Sequence, residues 1–392
     1  MSDTETLGVV GGGQLGRMLA EAAAPLGVEV VVLDPTLECP ASPVARDQIV
    51  GDFDDEAGVR ELAARADHLT YEIELADPDL LEAVGEEYGV PVNPDPETLR
   101  TIQDKLVQKR ALQDAGIPVP EFRQVDDRED LIAALDEFGS VMLKAREGGY
   151  DGRGNVPVED ESDVDEALAE IEAATDGDGT RAMAEEFVAF EREVSVIGVK
   201  GEDEIRTFPL GENVHREEIL RETVVPARTA EAVAERARGV AEAVLDLLSG
   251  RGVYGIELFE TPDGEILVNE IAPRPHNSGH YTIEGALTSQ FEQHARAVTG
   301  RPLGATDLRS PTVSANLLGN GEERRPAEWS GDDAILRHPG ASLHWYGKHE
   351  VYPLRKMGHL TLVDPNEGGA SDPSVERLLR EARELRDEVT FQ

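Results

Sequence analysis

The 392-residue chain holds one cysteine, two tryptophans and six lysines, and only 5% of it is aromatic. A single thiol, Cys39, cannot close an intrachain disulfide, and without Cys or His partners at zinc-ligand spacing it builds no structural metal site. It reads as a small half-buried side chain. No apolar run approaches the roughly 20 residues of a membrane span, and the opening Met1-Ser2-Asp3-Thr4-Glu5 is acidic where a secretory signal would be basic and then apolar. These absences predict a cytoplasmic protein. Positive charge is the largest deficit: 37 Lys and Arg face 80 Asp and Glu, a formal net charge of −43. Such a surface is unsuited to nucleic acid, and it repels itself unless molar salt shortens the screening length to about 3 Å. We therefore expect a salt-adapted protein whose acidic stretches, such as residues 159–166, are solvated faces rather than binding tails. Four of the six lysines, Lys105, Lys144, Lys348 and Lys356, fall inside the motifs described next.

What is present suffices for several cores. With 40% hydrophobic residues the length suits two or three domains, and the pattern divides into three, of mixed α/β and α+β class. Residues 7–12 read as a buried strand entering a glycine turn, followed by a helix to residue 24 and a second strand over 28–33. Strands near 68–73 and 90–92 continue the alternation, so a small doubly wound domain is expected over 1–97. A helix over 98–115 leads into a domain over 98–300. Within it, an α+β segment at about 117–188 carries the strand 141–144 and a glycine-dense loop, and a larger sheet with one long helix over 229–248 follows. Strand-like runs at 312–318 and 341–346 and a closing helix from 374 make a small β-rich domain over 301–392. No internal repeat is evident.

Gly11, Gly13 and Gly16 satisfy G-x-G-x-x-G between a strand and a helix, and Asp34 ends the next strand where a ribose-binding acid would sit. Glycines there let a backbone approach a phosphate at a helix N-terminus, so a dinucleotide fold is one reading. A tight turn with no ligand is another. The reading preferred here is that the turn holds a different small molecule, met by Gln14 and Leu15, with the strand Tyr71-Glu72-Ile73-Glu74 supplying a carboxylate.

A second apparatus suits a nucleotide better. Lys144 ends an apolar strand just before Gly148, Gly149, Gly152 and Gly154, a placement that puts an ammonium beside phosphate oxygens while backbone amides fold over them as a lid. A long hairpin turn is the alternative, although Tyr150, Asp151 and Arg153 are reactive types that a plain turn does not need. Further on, Met183-Ala184-Glu185-Glu186-Phe187-Val188 resembles a hinge strand whose backbone pairs with an adenine edge, with Glu193 placed for a ribose hydroxyl.

The most informative stretch is 255–270. Pro262-Asp263-Gly264 makes a turn, and folding the flanking strands about it brings Glu257 close to Glu270, with Asn269 beside them. Two carboxylates facing each other among apolar neighbours repel. A divalent cation resolves the conflict, since Mg2+ takes one or two carboxylates together with water and nucleotide phosphate. Solvated glutamates on an exposed hairpin are the alternative. Directly after Glu270, Pro273 and Pro275 bracket Arg274 and stiffen a loop that also presents His276 and Asn277, a cluster suited to a small oxyanion. Last, residues 345–359 form an expected hairpin presenting Lys348, Arg355 and Lys356 in a strongly anionic protein. A phosphate-bearing substrate is the plain reading, and a solvated basic face the alternative.

With these residues in hand, the chain resembles the 5-(carboxyamino)imidazole ribonucleotide synthase family, the ATP-grasp carboxylases of purine biosynthesis. The specific pieces are Gly149-Tyr150-Asp151-Gly152-Arg153-Gly154, the run 269–280 and Leu343-His344-Trp345-Tyr346-Gly347-Lys348, and the resemblance extends over nearly the whole chain. It implies an ATP-grasp fold with an N-terminal doubly wound domain and a small C-terminal β-rich domain. It implies ATP contacts at Lys105, Lys144, Gly149, Tyr150, Asp151, Gly152, Arg153, Gly154, Asn155, Glu185, Glu186, Phe187, Val188, Glu193, His215, Asn269 and Glu270. Mg2+, with Mn2+ as an alternative, is implied at Glu257 and Glu270, and bicarbonate or its phosphate adduct near Arg274, His276 and Asn277. The phosphate of 5-aminoimidazole ribonucleotide would meet Arg153, Lys348 and Arg355, with Lys356 in the same cluster, and its ring would lie near Gln14, Leu15, Glu72 and Glu74. Lys105 stands where some relatives carry Arg, a change that still serves a phosphate. Tyr150 and Asp151 sit where proton removal from the ribonucleotide amine is assisted, a role the released phosphate can fill instead. A homodimer is also implied. The rivals are a formate-dependent glycinamide ribonucleotide transformylase, an NAD-dependent dehydrogenase built on the first glycine motif, and a non-catalytic ATP-binding subunit.

Overall fold

Two β-branched runs near the start of the chain, buried on both faces, pair as parallel strands, the pattern expected of a sheet covered by helices on both sides. The computed structural model describes residues 4–148, 154–174, 182–321, 323–364 and 373–391. In it these runs are β1 (Glu5–Val10) and β2 (Val28–Asp34), joined through α1 (Gln14–Ala23). β3 (Asp47–Val50), α2 (Glu56–Arg65), β4 (His68–Tyr71) and α3 (Pro78–Tyr88) complete a sheet of order β3-β2-β1-β4. The strand expected at 90–92 is reduced to a single parallel bridge between Leu69 and Val92. Pro91 has no N–H to give a ladder.

The helix expected over 98–115 is two helices, α4 (Pro96–Gln103) and α5 (Lys105–Asp114). Asp104 leaves helical geometry to cap the second, accepting from the amides of Leu106 at 2.9 Å and Val107 at 3.2 Å. It also pairs with Arg146, whose Nε lies 3.0 Å away. The break sets Lys105 in the first turn of α5, with its amide bonded to the Arg146 carbonyl.

β5 (Phe122–Val125), α6 (Arg128–Phe138), β6 (Val141–Ala145), β7 (Asn155–Val158), α7 (Val164–Ala174) and β8 (Ala182–Glu186) form an antiparallel sheet of order β5-β8-β6-β7 with two helices packed against it. Of the residues expected in the lid, Gly149, Tyr150, Asp151, Gly152 and Arg153 lie outside the described residues.

Among the described residues the central sheet has nine strands. Its first part comprises β9 (Arg192–Lys200), β10 (Ile205–Thr207), β11 (Gly211–Arg216), β12 (Ile219–Val225) and, after α8 (Glu231–Leu247), β13 (Gly252–Glu260) and β14 (Ile266–Ala272). α9 (Thr282–Gly285) and α10 (Gln290–Val298) follow, then β15 (Thr312–Leu318), β16 (Arg325–Pro326), β17 (Trp329–Ser330), α11 (Asp332–Arg337), β18 (Ala341–Trp345), β19 (Glu350–Val351), β20 (Lys356–Val363), α12 (Pro373–Glu388) and β21 (Thr390–Phe391). The order is β14-β13-β9-β11-β12-β15-β20-β18, with β10 on β9. The strands of the C-terminal segment thus extend the central sheet, β15 pairing with β12. The buried carboxylate of Glu222 on β12 fastens them further, meeting Arg383 at 3.0 Å and also Arg386, both on α12.

His294 on α10 joins the N-terminal sheet to the central one. Its Nδ1 accepts from the Val253 amide at 3.1 Å and its Nε2 faces Thr70 Oγ1 at 2.9 Å. Burial pushes this imidazole down to about 3, so it stays neutral and serves as a fixed strut between β4 and β13. Among the described residues no helix is long and apolar enough to cross a membrane.

Candidate active site

The β13–β14 hairpin pairs Glu257 with Glu270, and its register shifts directly after Glu257. A bulge of this kind re-aims side chains that strict alternation would send to opposite faces. Loss of water, reinforced by the nearby Glu270 and opposed by His215, pushes the Glu257 carboxyl up to about 7. His276 Nε2 stands 3.7 Å from Glu257 Oε1. Burial and the neighbouring Arg274 cation hold the His276 imidazole well below its ordinary value, hence neutral. Gly255 makes this approach possible, because a Cβ there would lie 2.4 Å from the His276 Cβ. No group of three or more His, Cys, Asp or Glu among the described residues could hold a metal alone. Two hard oxygen donors, one of them reluctant to ionise without a cation, fit a Mg2+ that draws its remaining ligands from nucleotide and water.

This pair stands where two cavities meet. The first, of 420 Å³, is bounded by Lys105, Lys144, Asn155, Glu185, Glu186, Phe187, Val188, Glu193, His215, Asn269 and Glu270. Residues from α5, the β5–β8 sheet and the central sheet, scattered in sequence, therefore line one space. Gly154 adjoins it, its carbonyl accepting from the Ala145 amide at 2.7 Å. Phe190 stacks on Phe259 with centroids 5.0 Å apart and adds an apolar wall. Glu193 Oε2 meets His215 Nδ1 at 2.7 Å, and this bond, with Glu257 nearby, outweighs burial and raises the His215 pKa.

One member of this wall was not singled out by the sequence reading. Lys109, buried on α5, lies 2.8 Å from Glu185 Oε2 and donates to the Val268 carbonyl at 2.8 Å. Lys144 approaches the other oxygen of Glu185 at 2.7 Å and Asn269 Oδ1 at 3.3 Å. Burial alone would raise the Glu185 carboxyl, but the charges of Lys144 and Lys109 overcome it and hold it below the usual range. Lys109 is pushed down to about 8, burial outweighing Glu185. The available signal was that this is one of only six lysines in the chain.

The second cavity, of 400 Å³, is bounded by Gln14, Leu15, Glu74, Arg274, His276, Asn277 and Lys356. Lys105, His215, Glu218, Glu257 and Glu270 line both cavities. Arg274 Nη2 pairs with the Glu74 carboxylate at 2.9 Å, and Asn277 Nδ2 is buried without a hydrogen-bond partner among the described residues.

Three residues expected near the substrate do not line these two cavities. β4 ends at Tyr71, and the chain turns so that Glu72 lies beneath the glycine turn, accepting from the amides of Gly13 and Gly16. Asp34 likewise accepts from the Gly12 amide at 2.9 Å. The G-x-G-x-x-G turn is thus closed by the chain's own carboxylates at the positions a dinucleotide would need. Lys348 lies over the Tyr346 ring at 5.7 Å, and Arg355 donates to the Glu350 carbonyl at 2.7 Å. Neither lines either of these two cavities, whereas Lys356 lines the second.

Comparison with known proteins identifies the family. Residues 4–103 match the ribonucleotide synthetase preATP-grasp domain, 110–291 the ATP-grasp domain, and 312–372 the phosphoribosylaminoimidazole carboxylase C-terminal domain. N5-carboxyaminoimidazole ribonucleotide synthase of Brucella melitensis is 45% identical over 364 residues, 92% of this chain and 96% of that protein. The crystal structure of the Thermotoga maritima synthetase matches with a TM-score of 0.86 and 41% identity, covering 99% of each chain. That of the Aspergillus clavatus synthase, in complex with ADP and 5-aminoimidazole ribonucleotide, matches with a TM-score of 0.87 and 34% identity, covering 99% of this chain and 100% of that one. The chain belongs to the N5-carboxyaminoimidazole ribonucleotide synthase family of ATP-grasp enzymes.

Proposed function

We propose that the chain carboxylates 5-aminoimidazole ribonucleotide with ATP and bicarbonate, forming 5-(carboxyamino)imidazole ribonucleotide in purine biosynthesis. The observation that carries this reading is the meeting of the two cavities at Glu257 and Glu270, with Lys109 and Lys144 lining only the first and the cluster Arg274, His276 and Asn277 lining only the second. A nucleotide in one cavity and an amine in the other would then share one small anion between them.

On the nucleotide side, Lys144 and Lys105 supply fixed positive charge to the phosphates, Glu193 and His215 suit the ribose, and the segment 185–188 suits the base. Mg2+ held by Glu257 and Glu270 would offset the negative charge that develops during phosphoryl transfer. Arg274 matches bicarbonate through a planar guanidinium, and Asn277 Nδ2 donates to the same anion. Attack of a bicarbonate oxygen on the γ-phosphorus releases ADP and leaves carboxyphosphate. The exocyclic amine of the ribonucleotide then takes the carboxyl group, from carboxyphosphate or from carbon dioxide it releases, and phosphate departs. The amine proton goes to that phosphate or to Tyr150 or Asp151. Gln14, Leu15 and Glu74 suit the ribonucleotide ring and Lys356 its phosphate, a role that the family resemblance also gives to Arg153, Lys348 and Arg355. The active form is read as a homodimer adapted to molar salt.

Two assays test this. ADP release in molar salt should require bicarbonate and rise with 5-aminoimidazole ribonucleotide; release with formate and glycinamide ribonucleotide instead would transfer the reading to the transformylase. With a net charge of −43, the melting midpoint should climb steeply between low and molar salt, and a midpoint indifferent to salt would remove the halophilic part of the reading.

A further inference from the structure

Arg274 follows β14 of the central sheet and Glu74 follows β4 of the N-terminal sheet, yet their side chains join at 2.9 Å across the second cavity, which both line. The surrounding backbone on each side is pinned. Gln103 donates to the carbonyls of Glu74 at 2.7 Å and Ala76 at 2.8 Å, while Arg274 lies between two prolines and donates to the Pro275 carbonyl at 3.1 Å. Only side-chain rotation is needed to part them. Each partner satisfies in the other the chemistry that one substrate brings. A guanidinium recognises bicarbonate as it recognises a carboxylate, and a carboxylate accepts from the N–H groups of an exocyclic amine. The pair is neither fully buried nor free in solvent, with side chains 13% and 25% exposed, so it can hold without being permanent.

We propose that the Glu74–Arg274 ion pair is a latch that couples the two substrates. Arrival of the ribonucleotide amine at Glu74 releases Arg274 for bicarbonate, and arrival of bicarbonate at Arg274 releases Glu74 for the amine. This rests on the function proposed above. By linkage, each substrate strengthens the binding of the other by the same factor. The latch restrains bicarbonate-dependent use of ATP while no amine is present to receive the carboxyl group.

The test compares the wild type with Glu74→Gln and Glu74→Asp in molar salt. Asp keeps the charge but is one methylene too short for the contact, and thermal melts confirm that each variant is folded. In both variants bicarbonate-dependent ADP release without ribonucleotide should rise about fivefold or more, the low end of typical coupling between two ligands. In the absence of ATP, bicarbonate should tighten ribonucleotide binding to the wild type and leave binding to Glu74→Gln unchanged. If ribonucleotide-free ADP release in both folded variants stays at or below the wild-type rate, the latch is overturned, and Glu74 is only a substrate contact. If the wild type releases no bicarbonate-dependent ADP even with ribonucleotide, the functional reading fails and the latch fails with it.

Discussion

Glu72 and Glu257 are both glutamates that folding takes out of water, and loss of water pushes both carboxyls up to about 7. They differ in what answers them. Glu72 accepts from the amides of Gly13 and Gly16 at the start of α1, so the fold itself supplies its partners and the acid closes a turn. Glu257 faces a second carboxylate across a bulged hairpin and borders both cavities. A raised carboxyl marks a functional group only when its partners are left for a ligand to provide.

Glu257→Gln should lower bicarbonate-dependent ADP release by about 10²–10³-fold, as expected for losing one electrostatic group in a phosphoryl-transfer site, while its melt in molar salt matches the wild type. An unfolded Glu257→Gln with normal turnover when stabilised would reverse the two roles. Lys109→Met extends the comparison to a buried cation with partners of its own. It leaves Glu185 with Lys144 alone, and should cost about 3 kcal/mol in denaturant unfolding and raise the KM for ATP, since Lys144 is held more firmly by Glu185.

For Glu72→Ala the effect belongs to the fold. Two amides lose their acceptor, a loss of about 2–3 kcal/mol in unfolding free energy, with the KM for ATP within about twofold of wild type. The same residue sets a pH dependence. Glu72 ionises near 7 in the fold against an ordinary value of 4.5, so the folded chain binds the extra proton between those values. The stability this gives is fully present below about 4.5 and is lost as pH rises through about 7. Glu72→Gln cannot titrate, so the wild-type-minus-variant stability should fall by about 3 kcal/mol across that window. A difference that is flat with pH would mean that Glu72 is ionised throughout.

What was legible in the sequence was local. Pro262-Asp263-Gly264 set the hairpin that brings Glu257 near Glu270, although the bulge that puts them directly opposite was not legible, and Arg274, His276 and Asn277 follow Glu270 too closely in the chain to go far from it. What escaped required partners distant in the chain. Lys109 acquires its role only when β8 brings Glu185 alongside α5. Asp104, in a chain crowded with surface acids, gave no sign that it would break a helix and set Lys105 in place. The alternating pattern through 68–74 concealed the turn that takes Glu72 under the glycines. The union of β15 with β12, which merges the C-terminal segment with the central sheet, joins strands with α8, β13, β14 and α10 between them.

The most direct measurement is ADP release in molar salt with ATP, Mg2+, bicarbonate and 5-aminoimidazole ribonucleotide, comparing the wild type with Glu270→Gln. The expected result is wild-type release that needs bicarbonate, rises with the ribonucleotide and falls at least about a hundredfold in the variant, with its melt unchanged. Undiminished release by folded Glu270→Gln would contradict the assignment of the Glu257–Glu270 pair as the meeting point of the two substrates.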